Sequence, residues 1–328
     1  MDTQQLIEQL RKDSPKNFLD IVDSAITCAQ KYHKDQLRLS GEPYINHVLR
    51  TAISLAEMGM DTDTIVAGLL HNSISNSVEN SIDISKEIEE KFGKDVLNLL
   101  TLCNGINKAT ASPETEYAII TKFILNSSKD LRPVLIKLAD TLDNVRTIEY
   151  MPQERLSSKL QKILYVYAPL AEYLNLDRLK KELEEKALKI YRPEIYQMIK
   201  EKMELNSFTQ EVKFKYIEYF TNILNDVSPS PSVYGRIKSI YSIYNKQKKQ
   251  LKEGSNVDLS NIRDLMAFRI VTDSTDNCFK ILERIMDSGD IITQEFDDYI
   301  THPKPNGYKA LQRSEEHTSE LQSQITSS

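Results

Sequence analysis

Helical periodicity in residues 1–225 constrains the fold more than any other feature of this chain. Apolar residues recur there at the i, i+4, i+7 and i+8 spacing that gathers them on one helix face, most clearly in residues 156–174. Pro169 lies within that run and predicts a kink, because proline removes a backbone donor. The first part of the chain is therefore predicted to be an all-helical globular domain.

The run Ser-Pro-Ser-Pro-Ser at residues 228–232 ends the helical pattern. Its prolines disfavour a helix and predict an extended hinge. Beyond it, the sequence predicts a mixed α/β domain. Its predicted elements are a basic helix over 236–252, a buried strand over 262–272, a helix over 277–289 and two short strands within 291–300. The predicted fold class is α+β, with an all-helical domain at 1–200, a helical connector and hinge at 201–232 and an α/β domain at 233–312.

Residues 313–328 differ in composition from the rest of the chain. The stretch RSEEHTSELQS at 313–323 resembles the translation of a sequencing adapter, and Leu321 and Ile325 are the only large aliphatic residues of this segment. We therefore interpret 313–328 as a non-native tail and exclude it from the expected fold. The α/β domain is then expected to be incomplete at its C-terminus.

Charge and cysteine content limit the expected partners. The net charge of -6 gives no overall attraction to nucleic acid, so a sequence-specific nucleic-acid partner is not expected. The 3 cysteines are scattered, which argues against a disulfide framework or a cysteine zinc site. No apolar run approaches the ~20 residues of a membrane span. We expect a cytoplasmic protein with no membrane partner.

Two histidines and an aspartate form the first candidate site. His47, His71 and Asp140 each lie at the end of an apolar helical segment. If these helices pack together, the imidazoles and the carboxylate could hold a divalent metal ion. On spacing alone, however, an ordinary structural role for each histidine is the better interpretation.

Positive charge after the hinge forms the second candidate site. Six Lys or Arg residues and no acidic residue occur between Arg236 and Lys252. A solvated basic face is the simplest interpretation of such a run. Asp264 in the following strand favours another one, because a lone carboxylate can hold Mg²⁺ together with substrate phosphates. Tyr308, on a glycine-containing loop, could stack on a base.

Long stretches of both regions resemble the long-form RelA/SpoT homologues, which make and degrade the alarmone (p)ppGpp in the stringent response. The resemblance covers about residues 15–312. It implies an all-helical HD hydrolase domain followed by a nucleotidyltransferase-like synthetase domain. The stretches that carry it are LRLSGEPYINHVLRTA, GLLHNSIS, IKLADTLDNVRTIEYMP, GRIKSIYSIYNK, RDLMAFRIV and DYITHPKPNGYKAL.

For the HD domain, the resemblance implies metal ligands at His47, His71 and Asp140 and nucleotide contacts at Arg38 and Asn144. In the family's hydrolases, an aspartate follows the second histidine and an acidic pair lies a few residues further on.

This chain has Asn72, Ser75 and Asn76 at those three positions. A neutral amide is a poorer ligand for a hard cation than a carboxylate. We therefore expect a degenerate hydrolase site with a weak or lost Mn²⁺ site. Mn²⁺ is an expected cofactor only if that site survives.

For the second domain, the resemblance implies a GTP pyrophosphokinase (GTP diphosphokinase) that transfers pyrophosphate from ATP to the 3′-hydroxyl of GTP or GDP with Mg²⁺. Lysine, arginine and Mg²⁺ suit this chemistry, since such transfer depends on positioning and charge neutralisation. The implied residues are Arg236 at the ATP base, Lys238 and Lys246 at its phosphates, Asp264 at Mg²⁺, Tyr308 stacked on guanine, and Lys304 and Asn306 supporting the acceptor nucleotide.

The family's catalytic glutamate lies on a later strand, in a motif of the form E-x-Q-x-R. Glu320 begins a stretch with similar spacing, but the final arginine is missing and the stretch lies in the segment that we interpret as a non-native tail. Gln312 also stands where the family usually has a histidine. We therefore expect the catalytic glutamate to be missing and this copy to be inactive.

Three functions remain open on the sequence: a (p)ppGpp synthetase in the intact parent, a (p)ppGpp 3′-pyrophosphohydrolase, and a non-catalytic nucleotide-binding regulatory module. The expected partners are ATP and GTP or GDP. Long members of the family also engage ribosomes through C-terminal domains. The resemblance therefore implies the ribosome as a further partner of the parent protein.

Overall fold

The computed structural model describes residues 2–74, 78–108, 130–248, 262, 265–288, 295–307, 309–314 and 322–327. The chain forms two compact units, Met1–Tyr191 and Arg192–Ser328. This division lies before the expected boundary at residue 200, because the two helices that follow Tyr191 pack on a strand and a helix beyond the prolines. The residues that we expected to be a connector therefore belong to the second unit.

The first unit is predominantly helical in the described residues, which confirms the predicted class. Helix starts are set by side chains that satisfy unpaired backbone N–H groups. Asp2 accepts a hydrogen bond from the Gln5 N–H at 2.8 Å, and Asp61 accepts one from the Thr64 N–H at 2.8 Å. The helices are α1 (Thr3–Asp13), α2 (Leu19–Tyr32), α3 (Tyr44–Glu57), α4 (Thr62–Leu70), α5 (Val78–Phe92), α6 (Lys94–Lys108), α7 (Arg132–Arg146), α8 (Gln153–Lys162), α9 (Ala168–Tyr173) and α10 (Asp177–Tyr191).

Helices α3 and α4 lie in the core of the first unit. Every residue of α4 from Thr64 to Leu70 is buried. The two helices approach closely at Gly68, where an added Cβ would collide with the Leu55 side chain. This packing fixes His47 within α3 and His71 at the end of α4. No helix in the described part of the chain is both long and apolar enough to cross a membrane.

The irregularity that we predicted at Pro169 is a π-helical turn. Residues Ile163–Tyr167 form this turn between α8 and α9, and Pro169 lies in the first turn of α9. Because proline has no N–H and its ring crowds the preceding turn, a wider turn before it accommodates both effects.

Helix α10 is more buried than its charge pattern indicates. Glu184 is 6% exposed and lies on the same helix as the buried Leu183, Ala187 and Leu188. Burial raises the pKa of Glu184 to about 7. Lys180 is its ion-pair partner, but the Lys180 Nζ lies 3.9 Å from Glu184 Oε1 and compensates the lost hydration only in part.

The variant Glu184→Gln is expected to remove a pH dependence of stability. Because the pKa of Glu184 is higher in the folded than in the unfolded state, the free energy of unfolding of the wild type falls as pH rises from about 4.5 to about 7. The variant should be more stable than the wild type by about 1–3 kcal/mol at pH 8 and close to it at pH 4. Urea denaturation at both pH values measures this difference. The exposed Glu90→Gln is the control, and a less stable Glu184→Gln at pH 8 would contradict the account.

The second unit contains a sheet and four described helices. The helices are α11 (Pro193–Leu205), α12 (Gln210–Ile223), α13 (Ile240–Gln247) and α14 (Thr275–Asp287). The strands are β1 (Ser232–Ile237), β2 (Met266–Thr272), β3 (Glu295–Asp298), β4 (Leu311–Ser314) and β5 (Gln322–Ser327), in the order β1-β2-β5-β4-β3. Strands β2 and β5 are parallel, and the other neighbours are antiparallel.

The prediction of a helix from residue 236 was wrong at its start. Residues 232–237 alternate between exposed and half-buried positions, which is the period of a strand, and they form β1. Helix α13 begins only at Ile240, where the Ser239 Oγ accepts a hydrogen bond from the Ser242 N–H at 3.2 Å. Of the two strands predicted within 291–300, the described residues contain β3; residues 291–294 lie outside them.

The exclusion of residues 313–328 from the fold was also wrong for the described part of this segment. Strand β4 extends to Ser314, and Gln322–Ser327 form β5 between β2 and β4. Backbone N–H and C=O groups make the hydrogen bonds between strands, so a segment with polar side chains can pair with the free edge of β2. Whether these residues are native remains a prediction.

Strand β1 packs closely against α12 at Gly235. A Cβ there would lie 2.8 Å from Phe268 Cε1 and 3.0 Å from Lys213 Cγ. Phe268 is 2% exposed and its ring centre lies 5.2 Å from that of Phe220 on α12. One face of the β1–β2 pair is therefore covered by α12.

Candidate active sites

The structure brings His47, His71 and Asp140 together inside the first unit. All three are buried, and each has a ligand atom within 4.8 Å of the others. His47 lies on α3, His71 directly follows α4, and Asp140 lies on α7. By composition and proximity, this set could hold a metal ion.

Both oxygens of the Asp140 carboxylate already accept hydrogen bonds from neighbouring side chains. Asp140 Oδ2 accepts from Lys137 Nζ at 2.9 Å, and Oδ1 accepts from Asn144 Nδ2 at 2.6 Å. His47 Nε2 lies 3.3 Å from the same Oδ1. The charge of Asp140 is thus balanced by neighbouring side chains.

The Asn72 side chain contacts the Nε2 atom of His71, the atom that faces the cluster. The Asn72 Nδ2 atom lies 2.8 Å from His71 Nε2 and donates a second hydrogen bond to the Tyr44 hydroxyl at 2.8 Å. A metal ion needs the lone pair of His71 Nε2, and an N–H group faces that lone pair here. In this arrangement, the residues present do not fit a bound metal ion.

Asp143 joins the histidine cluster to the Arg38 site. Its carboxylate is 1% exposed and accepts from His47 Nδ1 at 2.7 Å, from Arg38 Nη1 at 3.1 Å and from Arg50 Nε. Arg38 also donates from Nη2 to Asn144 Oδ1 at 2.8 Å and to Thr147 Oγ1 at 3.1 Å. The two implied nucleotide contacts, Arg38 and Asn144, are therefore neighbours in the structure.

The pKa shifts in this cluster follow from opposing effects. Burial alone would lower the pKa of His47, but its hydrogen bonds to Asp140 and Asp143 raise it. Burial alone would raise the pKa of Asp143, but its hydrogen bonds to His47 and Arg50 hold it below its usual value. Oppositely charged partners therefore stabilise one another inside the unit.

Four candidate residues lie outside the described residues. They are Ser75 and Asn76 of the HD site, and Asp264 and Tyr308 of the synthetase site. Their roles stay predictions.

Two arginines lie on the face of the β1–β2 pair that α12 does not cover. Arg236 and Tyr234 are exposed on β1, and Arg269 is exposed on β2. Tyr234 is the cross-strand partner of Arg269, and Arg236 is the partner of Ala267. Arg236 and Arg269 are thus diagonal neighbours, about 7–8 Å apart, with guanidinium groups on one face.

The lysines predicted for the ATP phosphates follow Arg236 along the chain. The Lys238 N–H donates to the Leu265 carbonyl at 2.8 Å, which extends the β1–β2 pairing to the residue after Asp264 in the sequence. Lys246 is exposed in the last turn of α13. Arg236 and Lys238 are thus brought to one end of the sheet, and Lys246 lies a helix length further on.

Lys304 and Asn306 lie in the connection between β3 and β4. Lys304 Nζ lies 4.1 Å from the ring centre of Tyr299, and the Gly307 N–H donates to the Lys304 carbonyl at 2.8 Å. Gly307 has a φ of 77°, which favours glycine in this turn. Strand β3 is at the opposite edge of the sheet from β1, about 19 Å away at the usual strand spacing.

Asp143 and Arg269 were not among the residues predicted from the sequence. Asp143 lies three residues after Asp140, a spacing that places both on one helix face. Arg269 is a charged residue within an otherwise apolar strand, which marks the exposed face. Tyr44 carried no signal, because only the structure places its hydroxyl beside Asn72.

Comparison with known protein families gives two matches. Residues 25–176 match the HD domain, and residues 235–326 match the region found in RelA / SpoT proteins. The first match lies within the helical unit and the second within the unit that contains the sheet.

Relatives with curated names are similar along most of the chain. A GTP pyrophosphokinase of Myxococcus xanthus is 33% identical over 90% of this chain and 39% of its own length. A guanosine-3′,5′-bis(diphosphate) 3′-pyrophosphohydrolase of Spiroplasma citri is 33% identical over 88% of this chain and 38% of its own length. The bifunctional (p)ppGpp synthase/hydrolase SpoT of Escherichia coli K12 is 32% identical over 92% of this chain and 42% of its own length.

The chain thus spans about 40% of the length of these relatives. Because the similarity extends through both units and both family matches, the chain belongs to the RelA/SpoT family, whose members metabolise (p)ppGpp.

Proposed function

We propose that the second unit serves (p)ppGpp synthesis in the parent protein. In this reaction, the 3′-hydroxyl oxygen of GTP or GDP forms a bond to the β-phosphorus of ATP, the bond from that phosphorus to the α–β bridging oxygen breaks, and AMP leaves. The observation that carries the proposal is the pair Arg236 and Arg269 on the sheet face opposite α12.

Two guanidinium planes on one face suit a purine ring, since arginine stacks on aromatic systems. We assign the adenine of ATP to this pair and its phosphates to Lys238 and Lys246. Mg²⁺, held by Asp264, would neutralise the phosphate charge.

We assign the acceptor nucleotide to Lys304, Asn306 and Tyr308 at the other edge of the sheet. The separation of about 19 Å between the outer strands supports two nucleotides that meet over the middle of the sheet. Their reacting ends would then lie over β5, the central strand of the sheet. The chain's partners are then ATP and GTP or GDP, in the cytoplasm, with the ribosome as a partner of the parent through its further domains.

We propose that the first unit does not hydrolyse (p)ppGpp. Hydrolysis in an HD site requires a metal-bound water, and the N–H of Asn72 faces the lone pair that the metal would need. Ser75 and Asn76 remove two further carboxylates that could orient the water.

Separate assays test the two halves of the proposal. With ATP, GDP and Mg²⁺, a version whose residues after 312 are the native continuation of the reading frame is expected to form ppGpp and AMP. With ppGpp and Mn²⁺, both that version and this chain are expected to release no pyrophosphate above background. Pyrophosphate release with turnover would establish the hydrolase instead, and nucleotide binding without either reaction would establish a regulatory module.

A further inference from the structure

We propose that the Asn72 amide, positioned by Tyr44, takes the place of a metal ion at His71, so that the first unit folds as a metal-independent domain. This goes beyond the loss of hydrolysis, because a site can lose turnover and still bind its metal. The inference concerns the fold of the first unit and does not depend on synthesis by the second.

The tautomer of His71 fixes the orientation of the amide. His71 Nδ1 lies 2.7 Å from the Gly68 carbonyl oxygen, so Nδ1 carries the proton in the neutral ring. The opposite atom, Nε2, is then a lone pair. Because only a donor is stable 2.8 Å from a lone pair, the Asn72 atom at that distance is the N–H side of the amide.

Tyr44 supports this orientation from the other side. The second N–H of the Asn72 amide is donated to the Tyr44 hydroxyl at 2.8 Å. Rotation of the amide would place its oxygen against the His71 lone pair and would require the Tyr44 hydroxyl to change from acceptor to donor. Tyr44 is the first residue of α3, and its ring centre lies 5.3 Å from that of His47. The hydroxyl is therefore held by the same helix that carries His47.

The other two members of the cluster are also satisfied without a metal ion. Asp140 accepts from Lys137 and Asn144, and His47 Nδ1 is bonded to Asp143. A buried group of two histidines and two aspartates would be unstable without positive charge, and here Lys137, Arg50 and Arg38 supply it. The metal would add charge that the site does not need.

Thermal unfolding with and without Mn²⁺ tests the proposal on the full chain. The melting temperature of the wild type is expected to be the same in EDTA and in Mn²⁺, and the dialysed protein should retain far less than one manganese per chain by elemental analysis. The variant Asn72→Asp places a carboxylate where the N–H lies. It is expected to melt at a lower temperature in EDTA and to rise by roughly 5–10 °C when Mn²⁺ is at about a hundredfold excess over its dissociation constant.

Two further variants show which residues carry the effect. Tyr44→Phe removes the acceptor of the amide and should give a smaller Mn²⁺-dependent rise, since Asn72 can then turn its oxygen inward. Asn72→Asp combined with His71→Ala should lose the rise, which places it at this cluster. If Asn72→Asp does not fold, the Mn²⁺ dependence of the melting temperatures of the wild type and of Tyr44→Phe still tests the proposal.

Stoichiometric manganese in the wild type, with a rise in its melting temperature, would overturn the proposal. An Asn72→Asp variant that folds but ignores Mn²⁺ would overturn it as well, since the amide would then not lie at a metal position. A Tyr44→Phe variant that behaves as the wild type would remove the positioning role of Tyr44. None of these results would affect the transfer assay of the second unit, so the two proposals fail separately.

Discussion

Asp143→Ala is expected to lower the free energy of unfolding of the first unit by about 3–5 kcal/mol, because it removes the anionic partner of a buried charge network. The Asp143 side chain is 1% exposed and bonds to His47, Arg38 and Arg50. Without it, Arg50 keeps its ion pair with Glu42, at 2.7 Å between Nη1 and Oε1, but His47 loses the partner of its Nδ1. Urea denaturation followed by far-ultraviolet circular dichroism measures the change.

An exposed ion pair provides the matched control for this variant. Asp23 bonds to Arg11, with 2.8 Å between Arg11 Nε and Asp23 Oδ1, but the side chains are 45% and 40% exposed. Asp23→Ala should therefore cost less than about 1 kcal/mol. A loss of that small size for Asp143→Ala would contradict the account, since the network would then contribute no more than a surface pair.

Arg269→Ala is expected to weaken binding of ATP to the second unit by about tenfold to a hundredfold, which corresponds to one lost stacking contact. Arg236→Ala should have an effect of similar size. Because the two guanidinium groups are proposed to hold the same ring, the double variant should lose less than the sum of the two single losses in free energy. Titration calorimetry with a non-hydrolysable ATP analogue in Mg²⁺ measures these affinities.

Lys280→Ala is the control for loss of a positive charge. Lys280 is exposed on α14, outside the proposed site. Its replacement should leave the ATP affinity unchanged, and neither arginine variant should alter the affinity for GDP. Equal weakening by all three variants would indicate a general electrostatic effect and would contradict the assignment of the adenine site.

The helical half of the fold follows from local sequence patterns. Apolar residues at helical spacing predict its helices, and Pro169 predicts the irregularity that appears as the π-helical turn before α9. The cluster of His47, His71 and Asp140 was predicted from the resemblance to the RelA/SpoT family, because spacing alone favoured an ordinary structural role for each histidine. Burial of Glu184 was not, since a charged residue normally marks the exposed face of a helix.

The sheet shows why the rest could not be predicted. Residues 232–237 contain Gly235 and Arg236 and directly precede a helix, so their strand depends on pairing with residues that are 29 to 39 positions away. Strand β5 forms from a polar segment, because an unfilled edge of β2 supplies the hydrogen bonds. The contact of Asn72 with Tyr44 joins residues 28 positions apart and appears only in the folded unit.

The central claim is that the sheet face with Arg236 and Arg269 belongs to a site for two nucleotides. Calorimetric titration of each nucleotide into the full chain tests this claim most directly. In Mg²⁺ buffer, the ATP analogue and GDP are each expected to bind with one site per chain, and the double variant of Arg236 and Arg269 should lose the heat of the ATP analogue while it retains that of GDP. Absence of heat with both nucleotides in the wild type would contradict the claim.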